Sequence, residues 1–135
     1  MRRAVLDPNV FISAVAAPTG TSAELVAEIL RGDLEAVVSP LVLAELDEVL
    51  RRKKFRRYID LESVDALLDS LRNEGSLVPD GTEPAPLRSV DPKDDYLLDL
   101  AFSQKSRLVS GDSDLIELSG RAPICTSGDL LAAPD

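Results

Sequence analysis

The chain has 135 residues, of which 44% are hydrophobic and 29% charged, with 15 cationic against 24 acidic side chains and a net charge of −9. A chain of this length closes a hydrophobic core without staples, its composition excludes disorder, and its acidity argues against nonspecific attraction to nucleic acid or anionic lipid. It contains no histidine and a single cysteine, Cys125, which excludes imidazole bases, Ser/His/Asp and Cys/His triads, intrachain disulfides and thiolate metal clusters.

In chain order, short apolar runs bounded by polar or turn residues alternate with stretches of helical spacing. Residues 4–6 read as a buried strand, followed at once by Asp7 and Pro8, which suit a helix N-cap and first helical position. Residues 22–31 predict a helix capped by Thr21 or Ser22, residues 34–38 a strand, and residues 40–52 a helix with Ser39 as cap and Pro40 at its first position. Six of the fifteen cations then fall together: Arg51, Arg52, Lys53, Lys54, Arg56 and Arg57. They read either as a solvated helix end that complements the C-terminal dipole or as a clamp for phosphates. A helix over 61–74 capped by Asp60, a strand at 77–78, a Pro- and Gly-rich loop over 79–89 and a helix over 92–105 capped by Asp91 come next. Strands at 107–109 and 123–125 complete the pattern. The alternation predicts one α/β domain over 1–135, a three-layer α/β/α sandwich around a mostly parallel sheet of about five strands. No apolar run approaches the ~18 residues of a membrane span, so a soluble, unprocessed cytoplasmic protein is expected, with Cys125 a small core residue of no special reactivity.

Open α/β sheets bind ligands outside the carboxyl ends of their strands, and the side chains that gather there are acidic. Asp7 follows the first strand and Asp112 follows the strand at 107–109; taken singly, each could be a helix cap. Asp94 is harder to explain by capping, because on a helix over 92–105 its neighbours at i+3, i+4 and i+7 are Leu97, Leu98 and Ala101, the apolar stripe. Asp95 and Asp99 fall on another side. Asp47 and Glu48 have i+4 partners in Arg51 and Arg52, whereas Glu45 has none and borders the apolar face. Two carboxylates ~4 Å apart repel by about 4 kcal/mol at an effective dielectric near 20. A pocket shared by Asp7, Glu45, Asp94 and Asp112 therefore calls for a hard divalent cation, Mg²⁺ or Mn²⁺ in preference to Zn²⁺.

Four motifs in order carry a resemblance: Val5-Leu6-Asp7-x-Asn9-Val10-Phe11-Ile12-Ser13-Ala14, Ser39-Pro40-x-x-x-Ala44-Glu45-Leu46, Asp91-Pro92-x-Asp94-Asp95-x-x-Leu98-x-x-Ala101, and Leu108-Val109-Ser110-Gly111-Asp112-x-Asp114-Leu115. In these the chain resembles PIN domains, and is most similar to those of bacterial and archaeal toxin-antitoxin systems. The resemblance spans nearly all of the chain and implies a metal-dependent ribonuclease site with Asp7, Glu45 and Asp94 as core acids and Asp112 as the fourth. It also implies Asn9 and Ser110 as polar supports, with Asp95 and Asp114 as substitute ligands. One or two Mg²⁺ or Mn²⁺ ions would activate water against an RNA phosphodiester, leaving a 5′-phosphate and a 3′-hydroxyl. A small antitoxin and a homodimer are implied as partners. Pro8 departs from the family, which more often has Thr or Ser there. Two other readings compete: a PIN-fold interaction module without turnover, and an aspartate-based phosphotransfer domain of receiver or phosphatase type. The latter is disfavoured because only Asp7 follows the first strand and Ser39-Pro40 ends the second.

Overall fold

The structure, a computed structural model, describes residues 2–133; Met1, Pro134 and Asp135 lie outside the described residues. Five strands, β1 (Arg2–Leu6), β2 (Leu34–Val38), β3 (Ser76–Leu77), β4 (Arg107–Val109) and β5 (Ile124–Cys125), pair in parallel in the order β3-β2-β1-β4-β5. Helices cover both sides, which is why the inner stretches of β1, β2 and β4 are continuous buried apolar runs, while Arg2, Arg3 and Arg107 stand at strand starts. Ala4, Val5 and Leu6 of β1, Val37 and Val38 of β2, and Leu108 and Val109 of β4 are all buried.

Seven α-helices connect or flank the strands: α1 (Pro8–Ala16), α2 (Thr21–Leu30), α3 (Pro40–Leu50), α4 (Leu61–Glu74), α5 (Asp95–Ser103), α6 (Ser113–Ile116) and α7 (Ser127–Ala132). The strand assignments agree with the sequence reading to within a residue or two. The helices differ in informative places. The stretch after Asp7 is a full helix, α1, with Asp7 as its cap and Pro8 in its first turn. The N-cap of α2 is Gly20, not Thr21 or Ser22, and no side chain caps it. Helix α3 stops at Leu50 because the chain turns to bury Phe55 in a 3-10 turn, Lys53–Phe55. The expected helix over 92–105 opens as a second 3-10 turn, Pro92–Asp94, and becomes α-helical only at Asp95. No single helix among the described residues is long and apolar enough to cross a membrane.

The long loop after β3 is fastened to α5. Asp99 accepts a 2.8 Å hydrogen bond from the Ala85 amide and pairs with the Arg88 guanidinium, while Asp95 accepts from the Ser89 amide at 2.7 Å. Gly81 allows the loop to lie against the helix backbone, since a Cβ there would stand 2.7 Å from the Asp99 carbonyl oxygen.

Candidate active site

The strand order reverses direction between β1 and its neighbours: the chain moves from β1 to β2 on one side and returns to β4 on the other. The carboxyl ends of β1 and β4 thus border a topological switch point, the place where an open parallel sheet leaves a crevice. Leu6 is in register with Val109, and the Asp7 amide donates to the Val109 carbonyl at 2.9 Å, so Asp7 and Ser110 leave adjacent strands side by side.

Asp7 is 1% exposed. One carboxylate oxygen accepts the Asn9 amide at 3.0 Å and the other accepts the Ser110 hydroxyl at 2.9 Å. Burial pushes its pKa up, the two hydrogen bonds pull it back, and the charge of Asp112 raises it again. The same Ser110 oxygen accepts the Asp112 amide at 3.0 Å, so one buried hydroxyl joins the first acid to the loop bearing the fourth. Asp112 in turn caps α6, accepting the Asp114 amide at 2.9 Å. Asn9 serves Asp7 through its backbone, not through its side chain.

Glu45 projects from the second turn of α3, half-buried. Its pKa is raised first by burial, lowered by the Tyr96 hydroxyl that donates to it at 3.0 Å, and raised by Asp7 and Glu48. Tyr96 belongs to the site but escaped the sequence reading; its only signal was a hydroxyl-bearing ring beside the apolar stripe of α5. Asp94 ends the 3-10 turn, where its side chain caps nothing. Burial, then the charges of Asp7, Asp112, Asp91 and Glu45, push its carboxyl up to about 7. Asp94 therefore stands in the common field of the other three acids. Asp95 faces elsewhere, with its oxygens taken by Ser89 and Arg88, which makes it an anchor of the loop.

The oxygen-only donor set suits a hard cation, and the three carboxyls are raised first by burial and then by one another's charge, both of which such a cation would offset. Among the described residues no three acidic, cysteine or histidine side chains close around one point as a ligand shell. Asp94 feels the charges of Asp7, Asp112 and Glu45, which places the four acids in one electrostatic neighbourhood.

The basic segment lies apart. Six residues of helical rise at ~1.5 Å each separate Arg51 from Glu45 by about 9 Å along α3, away from the β2 end of that helix. Arg51 pairs with Asp47 and Asp65, Arg52 with Glu48, and the Arg56 guanidinium donates to the Leu50 carbonyl. Lys54 lies over the Phe55 ring and Arg57 over the Tyr58 ring. Local partners thus take up five of these six cations. Cys125 is half-buried against the core, and burial raises its thiol pKa, in keeping with a packing role.

A family model described as "PIN domain" matches residues 3–114. An uncharacterised protein of Methanocaldococcus jannaschii is 27% identical over 117 residues, covering 86% of this chain and 74% of that protein. Among solved structures, VapBC2 from Rickettsia felis, determined bound to a DNA fragment from its promoter, shares the fold with a TM-score of 0.59 at 15% identity, over 92% of this chain and 98% of that chain. A Pyrobaculum aerophilum protein gives 0.60 at 17% identity over 97% and 87%, and a PilT N-terminus domain protein of Sulfolobus solfataricus 0.57 at 16% over 96% and 91%.

Proposed function

This chain belongs to the PIN-domain family, and from that premise we propose that it is a divalent-metal-dependent ribonuclease acting in the cytoplasm as the toxin half of a toxin-antitoxin pair. The observation that carries the reading is the gathering of Asp7, Glu45, Asp94 and Asp112 in one field at the switch point of the sheet. Asp7, Glu45, Asp94 and Asp112 would hold one or two Mg²⁺ or Mn²⁺ ions, whose Lewis acidity would activate water and neutralise charge on the phosphate. The chain's own part is positioning. Ser110 and the Asn9 amide fix both oxygens of Asp7, and the Tyr96 hydroxyl fixes Glu45 and helps to keep it ionised. Asp94, whose carboxyl is held near neutrality, is the acid that must give up a proton before it can act as a ligand.

A phosphotransfer role draws less support, since the only acid directly after β1 is buried with both oxygens engaged and offers a poor nucleophile. A protein partner is favoured by an apolar groove of about 440 Å³ between α1, α2 and α4, walled by Phe11, Val15, Val26 and Leu67 and rimmed by the half-exposed Leu30. The VapBC2 structure, which shares the fold, agrees with a paired protein of this kind. The homodimer remains part of the proposal and rests on the family.

The test is Mn²⁺-dependent cleavage of a mixed RNA pool by the wild type, Asp7→Asn and Asp94→Asn proteins. Cleavage by the wild type and at least a 100-fold loss in both variants is expected; equal activity in all three would assign the cleavage to a contaminant and end the proposal.

A further inference from the structure

A second cavity, of about 450 Å³, shares a wall with the acids: Asn9, Ser110 and Asp112 line it on one side, and Ser13, Thr21, Ser22, Thr126 and Ser127 are among its other lining residues. Its chemistry is unusual for a chain with 24 acids and 15 cations, because among the described residues no lysine or arginine and no aromatic ring contributes to the lining. Without a cation it is poorly suited to a phosphate as its main occupant, and without a ring it offers no platform for stacking a base. What it offers is a set of hydroxyls, each able both to donate and to accept, which is the complement of a sugar edge.

Ser110 is committed to Asp7 and the Asp112 amide, but the hydroxyls of the opposite wall keep hydrogen-bonding capacity. Gly20, not Thr21 or Ser22, caps α2, and no side chain bonds the amides of its first turn. The hydroxyls of Ser22 and Ser127 stand 3.2 Å apart; the pair holds two protons and needs only one for its mutual bond. Ser127 is 7% exposed, so that pair faces the cavity from a largely desolvated position. Thr126 accepts the Asp129 amide at 3.1 Å and keeps its own proton to give.

We infer that this cavity receives the ribose of the nucleotide next to the scissile phosphate and selects RNA over DNA through its 2′-hydroxyl, with Thr21, Ser22 and Ser127 as specificity-determining residues. The inference rests on the ribonuclease reading of the adjoining acids. The 2′-hydroxyl is the group that distinguishes RNA from DNA at a given site, and here it would meet partners of both hydrogen-bonding senses. Because the wall is shared through Ser110 and Asp112, a sugar in the cavity places its attached phosphate toward the carboxylates.

The experiment is an amide NMR titration of the full chain in EDTA, so that nothing is cleaved, with a uridine trinucleotide and its 2′-deoxy counterpart. The ribonucleotide is expected to move the amides of Thr21, Ser22, Ser127 and Gly128 and to bind at least fivefold more tightly than the deoxy probe. Thr21→Val, which preserves shape at an exposed position, should bring that ratio toward one while leaving the melting temperature nearly unchanged, and Ser22→Ala should do so with a lowered melting temperature, since it strips Ser127 of its partner. Equal affinity for both probes, shifts confined to other surfaces, or no shifts at millimolar probe would overturn the inference. A parallel Mn²⁺ cleavage assay separates the two claims: cleavage of RNA without cavity shifts overturns the ribose site and leaves the nuclease standing, whereas a lack of cleavage overturns the nuclease and with it the placement of the sugar beside a scissile phosphate.

Discussion

Asp94 links the chemistry of the site to the stability of the fold. Its carboxyl titrates at about 7 in the folded chain against 3.8 as the ordinary value, so the folded state keeps a proton that the unfolded state has lost between those limits. Stability from that proton is present below the ordinary value and is lost as pH rises through about 7; the raised carboxyls of Asp7 and Glu45 act in the same sense. Thermal melting in EDTA should therefore show a fall in Tm between pH 4 and pH 7.5. Asp94→Asn should flatten that fall and be more stable than the wild type at pH 7.5, and a Tm that does not depend on pH would contradict it. Saturating Mg²⁺ should restore wild-type stability and leave the variant largely unmoved. At Ser110 the effect runs the other way. Ser110→Ala deprives buried Asp7 of a donor and the Asp112 amide of an acceptor, and should cost about 1–3 kcal/mol in urea unfolding. Among single side chains, Asp7 and Asp112 stand out in the sequence at strand ends, Asp94 on an apolar stripe and Glu45 for want of an ion-pair partner, whereas Ser110 is singled out only by the family resemblance. Tyr96 does not stand out, since nothing local marks which buried ring will reach across to another helix. The supporting role of Asn9 was readable only by position; it belongs to the backbone.

At the scale of elements, the strands buried on both faces, β1, β2 and β4, leave short apolar runs that are hard to misread, whereas the two-residue edge strand β3 is partly exposed and shows in the sequence only as a short apolar pair. What escaped depends on contacts far along the chain. The turn that buries Phe55 ends α3 two residues before the periodicity does, and the 3-10 opening before α5 moves Asp94 from the first turn of the expected helix to the cap position ahead of the observed one. Helix α7 announces itself only through a capping box between Thr126 and Asp129, a weak signal across six residues that include Gly128. Thr21 and Ser22 were natural candidates to cap α2, but glycine fills that position and their hydroxyls line the polar cavity. The loop before α5 matters because one of its two fasteners, Asp95, directly follows Asp94, and the other, Asp99, holds the loop one turn further along the same helix. Gly81→Ala would press a methyl group onto the α5 backbone and should cost about 1–3 kcal/mol, measured as a lowered Tm, with a drop in divalent-ion affinity by calorimetry as the loop shifts. An unchanged Tm would show that the loop yields freely.

For the whole molecule, a net charge of −9 and a basic segment occupied by its own neighbours leave little free positive charge for a polyanion. Single-stranded RNA binding in EDTA should accordingly depend weakly on salt, with a slope of log affinity against log concentration shallower than about −2, the value for roughly three neutralised phosphates. A slope near −4 would restore the phosphate clamp that the run from Arg51 to Arg57 suggests by composition. Charge totals were legible from the first reading; their pairing was not, because Arg51 is satisfied in part by Asp65 on another helix.

The bond between Ser110 and Asp7 spans 103 positions, and it brings the last part of the site to the first. During synthesis Asp7 leaves the ribosome long before Ser110 exists; at about 5–20 residues per second the wait is on the order of 5–20 s. Throughout that interval β1 has no β4 beside it and the crevice has only one wall. A growing chain that has not yet reached Ser110 thus carries the acid that follows β1 without the hydroxyl that holds it and without the strand that walls the crevice.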